Sequence, residues 1–467
     1  MPTLPKFNPA RFRSGEAIDN KYYPLTPGTV SAFEGVDAHG QPVEANDFFT
    51  TGLTRNILGV KTTAVRDTAY DEGRLAEETI DFFAQDKRGN VWYFGEKVTN
   101  YVYDDDGNFI GTNQNGSWLA GQAGALPGVV MPATPKVGQS FYNEFAPGVA
   151  LDETLIADRH VRINTQTGHY NTLKTIDSTA LEPGIKEFKY YAPGVGLVRV
   201  EEEFDKNGVP NLVNELRDTI HAGSSHPPDG AEVVKRHDFI SDGEARWVTI
   251  LSEDSKLSNS IGYYTFDRST GVIGEGGILF ADSDHVGSNE SGRIRVADGQ
   301  GIGLFVVPDG ADLGVDLTEY REGGLFFENM LTGKPARLSD GMAPIVTDAD
   351  GDALPIPIFH ALGAKHGANL LNPGLGLQAV EWDNDSRSGE GTLVLGFEDQ
   401  RATQKGYDGD FNDIVIAFSS NKKGEEDKVE LLRDTGGEDA PPSFDLAVSE
   451  PPHQYWTGQT NLEPLFS

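Results

Sequence analysis

The sequence predicts an all-β, mainly antiparallel protein of two domains, a curved-sheet N-terminal domain followed by a β-sandwich/jelly-roll-like C-terminal domain. Three observations carry this. Short apolar runs rich in β-branched and aromatic residues, such as "ETIDFFAQD" and "GIGLFVVPDG", read as strands. Turn signals recur between those runs, and glycine is abundant at 55 residues, as many tight turns require. The 467 residues exceed one ordinary core, and the Ser-, Pro- and Gly-rich stretch "HAGSSHPPDGAEV" separates two strand-rich halves. The expected boundaries are a first domain over 1–222, a linker over 223–233, a second domain over 234–420 and an acidic tail over 421–467.

The first domain opens on an irregular Pro-rich segment and becomes strand-like from Tyr22. Lys87-Arg88-Gly89-Asn90 and Asp105-Asp106-Gly107-Asn108 read as hairpin turns rather than metal loops, since Gly and Asn accept the backbone angles of such turns. Ala125 to Gly148 is a Pro- and Gly-rich excursion expected to cross the sheet. Phe82, Phe83, Trp92, Tyr93, Phe94, Tyr101, Tyr103 and Trp118 are expected to form core. The alternative places them on the concave side of the sheet, where they would hold a lipid or a glycan.

Charge and composition narrow the function classes. Lys+Arg 38 against Asp+Glu 72 gives a formal charge of -34, which opposes nucleic acid and anionic membrane surfaces and suits cations. Without cysteine there are no disulfides, thiolate nucleophiles or cysteine metal sites. The N-terminus "MPTLPKFNPARFRSGEAIDN" lacks the apolar core of a secretory signal, so the chain is expected to be cytosolic, a mature fragment, or exported without an N-terminal signal. No run has the length of a membrane span.

The second domain ends in "LVLGFEDQRATQKGYDGDFNDIVIAFS". Leu393-Val394-Leu395 and Ile414 to Phe418 read as two buried strands. Between them stand six oxygen donors, Glu398, Asp399, Asp408, Asp410, Asn412 and Asp413. Asp408, Asp410 and Asn412 lie two apart, so an extended chain would present them on one face, with Phe411 turned to the core. Gly406 and Gly409 permit tight turns. Carboxylates crowded on one loop repel, and a hard cation offsets that repulsion. Calcium accepts about 6–8 oxygens from carboxylates, amides and carbonyls, so calcium is the expected cofactor. The competing reading is a solvated acidic hairpin.

At these residues the chain resembles the bacterial domain of unknown function 4114, whose closing signature runs Phe-Glu-Asp-Leu, a Gly/Asp-rich stretch, then Asp-Phe-Asn-Asp and an apolar strand. "FED" at Phe397–Asp399 and "DFNDIVIAFS" resemble it. Gln400 stands where the family has Leu, and "RATQKGYDG" replaces its Gly-rich middle. The resemblance implies a β-rich domain of exported bacterial proteins, often calcium-dependent adhesins, and no reaction. The first half, through "YPLTPGT", "DFFAQD", "NVWYFGE" and "KYYAPGVG", resembles an uncharacterised domain of exported bacterial proteins with a single curved sheet.

Other clusters are weaker. Asp348, Asp350 and Asp352 in "TDADGDALPI" have the spacing that begins an EF-hand, but its closing Glu would fall on Phe359, which excludes that motif. A plain turn is expected there. Asp282 and Asp284 are expected to be a turn as well. No nucleophile elbow, zincin helix or phosphate loop occurs. The expected function is therefore that of a non-catalytic, calcium-binding exported bacterial protein with a surface-associated recognition or adhesion role. Its partner would be a cell-surface glycan or protein, and its location extracellular or on the cell surface. A lipid or glycan carrier built on the first sheet is the alternative, and an unrecognised hydrolase the third reading. The tail "NKKGEEDKVELLRDTGGEDAPPSFDLAVSEPPHQYWTGQTNLEPLFS" is expected to be disordered, with a C-terminal export signal as one functional reading.

Overall fold

The computed structural model describes residues 2–13, 15, 17–285, 291–382 and 392–420; the expectations for the tail lie outside them. Strand is the dominant element of the described chain, and its helical elements are short 3-10 turns alone. It divides into two compact units. The first takes residues up to Val102 and Thr112–Ile220, and the second takes Tyr103–Gly111 and the described chain from His221.

The first unit is built on one 15-stranded antiparallel sheet that curves until it is nearly a closed barrel. From one edge it runs through Ser140–Tyr142, Asp152–Thr165, Gly168–Thr179, Lys186–Ala192, Gly196–Phe204 and Pro210–His221. It continues through Thr29–Asp37, Pro42–Ile57, Val60–Asp71, Arg74–Gln85, Val91–Tyr103, Leu126–Met131 and Glu144–Phe145. Most neighbours in this order are also neighbours in sequence, as hairpin connections dictate.

One turn chemistry recurs at the hairpins. Asp37, Asp86, Asp104 and Asp205 each accept, through Oδ1, the backbone N–H groups two and four residues on. The third residue on is Gly40, Gly89, Gly107 or Gly208, all at φ between 77° and 88°, the left-handed region where glycine carries no Cβ penalty. These hydrogen bonds hold the carboxyls of Asp37, Asp104 and Asp205 below their ordinary range. A share of the chain's negative charge is thus turn architecture.

Alternation divides the aromatic residues of the first unit between the two faces. Phe83 stacks on Tyr93 at 4.8 Å, Tyr93 meets Trp118 edge-on at 5.5 Å, and Tyr23 joins Phe83 to Tyr191 at 5.6 and 6.2 Å. Strands 74–85 and 186–192 are far apart in sheet order, so Tyr23 bridges them across the concave side. Trp92 and Phe94 belong to the opposite face, where Phe7 and Phe12 cover them at 5.7–6.1 Å. Phe82 also faces away from that interior, under the Arg55 guanidinium at 5.2 Å. A two-residue period cannot put Phe82 with Phe83, or Trp92 with Tyr93, on one face, so only part of the sequence-predicted set lines the concave side.

The second unit is a β-sandwich. A six-stranded sheet runs Ala231–Glu232, Ala379–Trp382, Thr392–Phe397, Ile414–Ser419, Arg246–Glu253 and Ser291–Ile294. A four-stranded sheet runs Ile273–Phe280, Ser260–Phe266, Gly301–Val307 and Phe359–His360. Val248, Leu395, Phe397 and Ile416 from the first meet Ile261, Tyr264, Leu304 and Val306 from the second in one buried cluster. A further four-stranded sheet carries Ile345–Thr347 and Ala353–Leu354.

Candidate metal centre

The six sequence-predicted donors lie on the connection between two central strands of the six-stranded sheet. Thr392–Phe397 and Ile414–Ser419 pair antiparallel, with Leu393 opposite Phe418 and Leu395 opposite Ile416. The connection between them folds back against its own hairpin. Phe411 is 1% exposed and packs with Leu377 and Val380, bordered by Trp382. Gly396 makes this approach possible, because a Cβ there would stand 2.1 Å from the Phe411 carbonyl oxygen. The loop is not extended as the spacing suggests. Phe411 sits at φ 56°, Gly406 at 113° and Gly409 at 73°. The tight turning, rather than a strand face, aims the side chains.

The result divides the six donors. Glu398, Asp408 and Asp410 converge, each offering a carboxylate oxygen, with those oxygens within 4.8 Å of one another. Glu398 is 1% exposed, whereas Asp408 is exposed and Asp410 half-buried. The Glu398 carboxylate accepts from Phe411 N–H at 2.5 Å and from Gly409 N–H at 3.4 Å. Burial, partly offset by the Phe411 hydrogen bond and reinforced by the Asp413 and Asp408 charges, pushes its carboxyl up to about 8. Burial, then Asp408, also raises Asp410. Asn412 serves Asp410, donating from Nδ2 to Oδ2 at 2.7 Å and from its backbone N–H to Oδ1 at 3.1 Å.

Asp399 and Asp413 form a separate pair. Asp413 Oδ2 accepts from Asp399 N–H at 2.9 Å. Asp399 Oδ2 accepts from Asn259 Nδ2 at 2.8 Å and from the Ser255 hydroxyl. Burial first, and the Asp399 carboxylate as the largest raising charge, push the Asp413 carboxyl up to about 7. Ser255 and Asn259 precede Asp399 by 144 and 140 positions, so no local motif announces them.

The donor set fits calcium. It consists of hard oxygens, its deepest member is a buried carboxylate, and the charges acting most strongly on that member are other carboxylates. Water and backbone carbonyls complete such shells readily.

The second acidic cluster is a turn of the recurring kind. Asp348 Oδ1 accepts from Asp350 N–H and Asp352 N–H, both at 2.9 Å, with Gly351 at φ 88°. Asp282 likewise accepts from Asp284 N–H at 3.0 Å and meets the His285 ring at 2.5 Å. His360 is fully buried, and burial lowers its ring to about 3, leaving a neutral core histidine.

No family model matches the chain, and no curated protein matches it. Among solved structures it is similar to a protein assigned as a lipoprotein from Parabacteroides distasonis ATCC 8503, at 16% identity and a TM-score of 0.26. It is also similar to a protein assigned as exported, with a YmcC-like fold, from Bacteroides fragilis NCTC 9343, at 12% identity and a TM-score of 0.26. Each likeness covers 43% of this chain and 99% of the other. No described helix is long and apolar enough to cross a membrane.

Proposed function

We propose that this chain is a non-catalytic, calcium-binding exported bacterial protein with a surface-associated recognition or adhesion role. The observation that carries the calcium reading is the convergence of Glu398, Asp408 and Asp410 around a buried carboxylate. Calcium ties the connection Glu398–Asp413 to the sandwich, and so pins the pair of strands on which the six-stranded sheet is centred. A chain without cysteine gains stability by this route, since a ligand at 100 times its dissociation constant adds about 2.7 kcal/mol. The pinned sandwich then presents its loops to a cell-surface glycan or protein.

The test follows the melting temperature of metal-free protein during a calcium titration, beside Asp410→Ala. The wild type rises by several degrees at millimolar calcium and the variant stays nearly flat. An equal rise in both would remove the site from this loop. The surface role is tested separately, by locating the protein in fractionated host cells; recovery from the cytosol alone would end it.

The carrier reading keeps one supporting observation. Tyr23, Phe83, Tyr93, Trp118 and Tyr191 form a continuous aromatic line on the concave side of the first unit. The carboxylates of Asp81, Glu96 and Glu144 stand beside it, held by Tyr93 and Trp118. Buried carboxyl groups and tyrosine hydroxyls disfavour an acyl chain and hydrogen-bond sugar hydroxyls, so this reading favours a glycan over a lipid. A glycan array with the intact chain tests it.

A further inference from the structure

Among the described residues, the nearly closed sheet of the first unit has one seam. The segment Ser140–Phe145 belongs to both edges of the sheet. Its first half pairs with Asp152–Thr165 through Ser140 opposite Leu155, Phe141 opposite Thr154 and Tyr142 opposite Glu153. Its second half pairs with Leu126–Met131 through only two positions, Leu126 opposite Phe145 and Pro127 opposite Glu144. Pro127 has no N–H to give to that ladder. Most other ladders of the sheet are much longer; Asp152–Thr165 and Gly168–Thr179, for example, pair from Asp152 to Thr165. The hop between edges occurs at Asn143, whose carbonyl lies so close to Gly128 that a Cβ there would stand 2.1 Å away. The seam is therefore closely fitted but weakly bonded.

Glu144 stands on this short ladder with its carboxylate turned to the interior, where Oε2 accepts from Trp118 Nε1 at 3.0 Å. Titratable groups from several strands face it. Asp152 comes from strand 152–165, and Glu187 and Lys189 from strand 186–192. Asp81 comes from strand 74–85, and Tyr93 and Glu96 from strand 91–103. Asp177 and Glu187 act in turn on Asp152. The cation among these groups, Lys189, is already engaged, at 2.8 Å from Glu187 and 3.2 Å from Asp177. An ionised Glu144 would thus face the Asp152 and Glu187 carboxylates, with Lys189 already shared between Glu187 and Asp177.

We propose that the Glu144 strand is a proton-operated latch, which holds the barrel shut while the Glu144 carboxyl is neutral and releases strand 144–145 from strand 126–131 when it ionises. The inference is independent of the calcium loop and concerns access to the barrel interior. The direction is set by burial. Burial first, and then the Asp152 charge, raise Glu144 from 4.5 to about 8. The closed barrel therefore holds a proton that the opened seam gives up. Closure is fully favoured below about pH 4.5 and is lost progressively as pH rises through about 8.

Hydrogen exchange read by mass spectrometry on the full chain tests this, with rates corrected for the intrinsic effect of pH. Peptides spanning 124–146 should exchange at least tenfold faster at pH 9 than at pH 6. Peptides from Val60–Asp71 should stay protected, which marks the opening as local. Glu144→Gln keeps the shape of the side chain and should abolish the difference, while Asp152→Asn, which removes the strongest neighbouring like charge, should reduce it. Glu153→Gln, next to Asp152 in the same strand, should leave it intact. Protection of 124–146 that does not change with pH, or an equal pH effect in Glu144→Gln, would overturn the latch.

Discussion

Phe411→Ala probes how the calcium loop is held. Phe411 is 1% exposed and clusters with Leu377 and Val380, with Trp382 packed against that cluster. Truncating a buried phenylalanine costs about 3–5 kcal/mol, through lost transfer energy and the cavity left behind. The backbone at φ 56° is no easier for alanine, so no relief of strain offsets the loss. For a unit of about 150–250 residues each kcal/mol moves the midpoint roughly 2–4 °C, which gives a fall of about 6–20 °C. A second effect is specific to the loop. Glu398 accepts from the Phe411 N–H, so an unanchored residue 411 releases the carboxylate from its position beside Asp408 and Asp410. Melting the variant in chelator and in calcium should show the lower midpoint and less than half of the wild-type calcium shift. A loss under about 1 kcal/mol, or an undiminished calcium shift, would refute the anchoring role.

Three further outcomes follow from the same geometry. Gly396→Ala places a Cβ 2.1 Å from the Phe411 carbonyl oxygen. Overpacking of this kind costs about 1–3 kcal/mol, and calcium affinity measured by titration calorimetry should fall with it. Asp348→Ala removes two turn hydrogen bonds, so stability in a denaturant melt should drop by about 1 kcal/mol with no change in the calcium shift. The first unit should lose stability as pH rises from about 4.5 through about 7. Asp67, pushed to about 7 mainly by burial and then Glu77, and Glu202, pushed to about 7 mainly by burial and then Glu187, both bind protons more tightly folded than unfolded. Circular dichroism melts across that range would check the sign.

Much of the architecture was legible because strands and hairpins are local. The Asp-x-x-Gly turns at Asp37, Asp86, Asp104 and Asp205 announce themselves through glycine at the left-handed position and an aspartate three residues before it. The anchoring of Phe411 was legible for the same reason, as an apolar residue set among acids. What was hidden is long-range. The closure of the first sheet depends on Ser140–Phe145 pairing at both edges, and inside a Pro- and Gly-rich stretch nothing in the local pattern says so. The division of the aromatics needed the register of Phe83 against Tyr93. The division of the six donors depends on Ser255 and Asn259 reaching Asp399 from a different strand connection. Two-residue spacing in the sequence implied one shared face, and the left-handed turn at Phe411 replaced that face with a wrapped loop.

A cation at Glu398, Asp408 and Asp410 is central to the proposed function, and counting bound ions tests it. Metal-free full-length chain is loaded with calcium, desalted and weighed under native conditions, beside Glu398→Gln. Bound calcium is expected on the wild-type chain, with at least one ion fewer on the variant. A wild-type chain that retains none, and shows no binding heat at millimolar calcium, would contradict it.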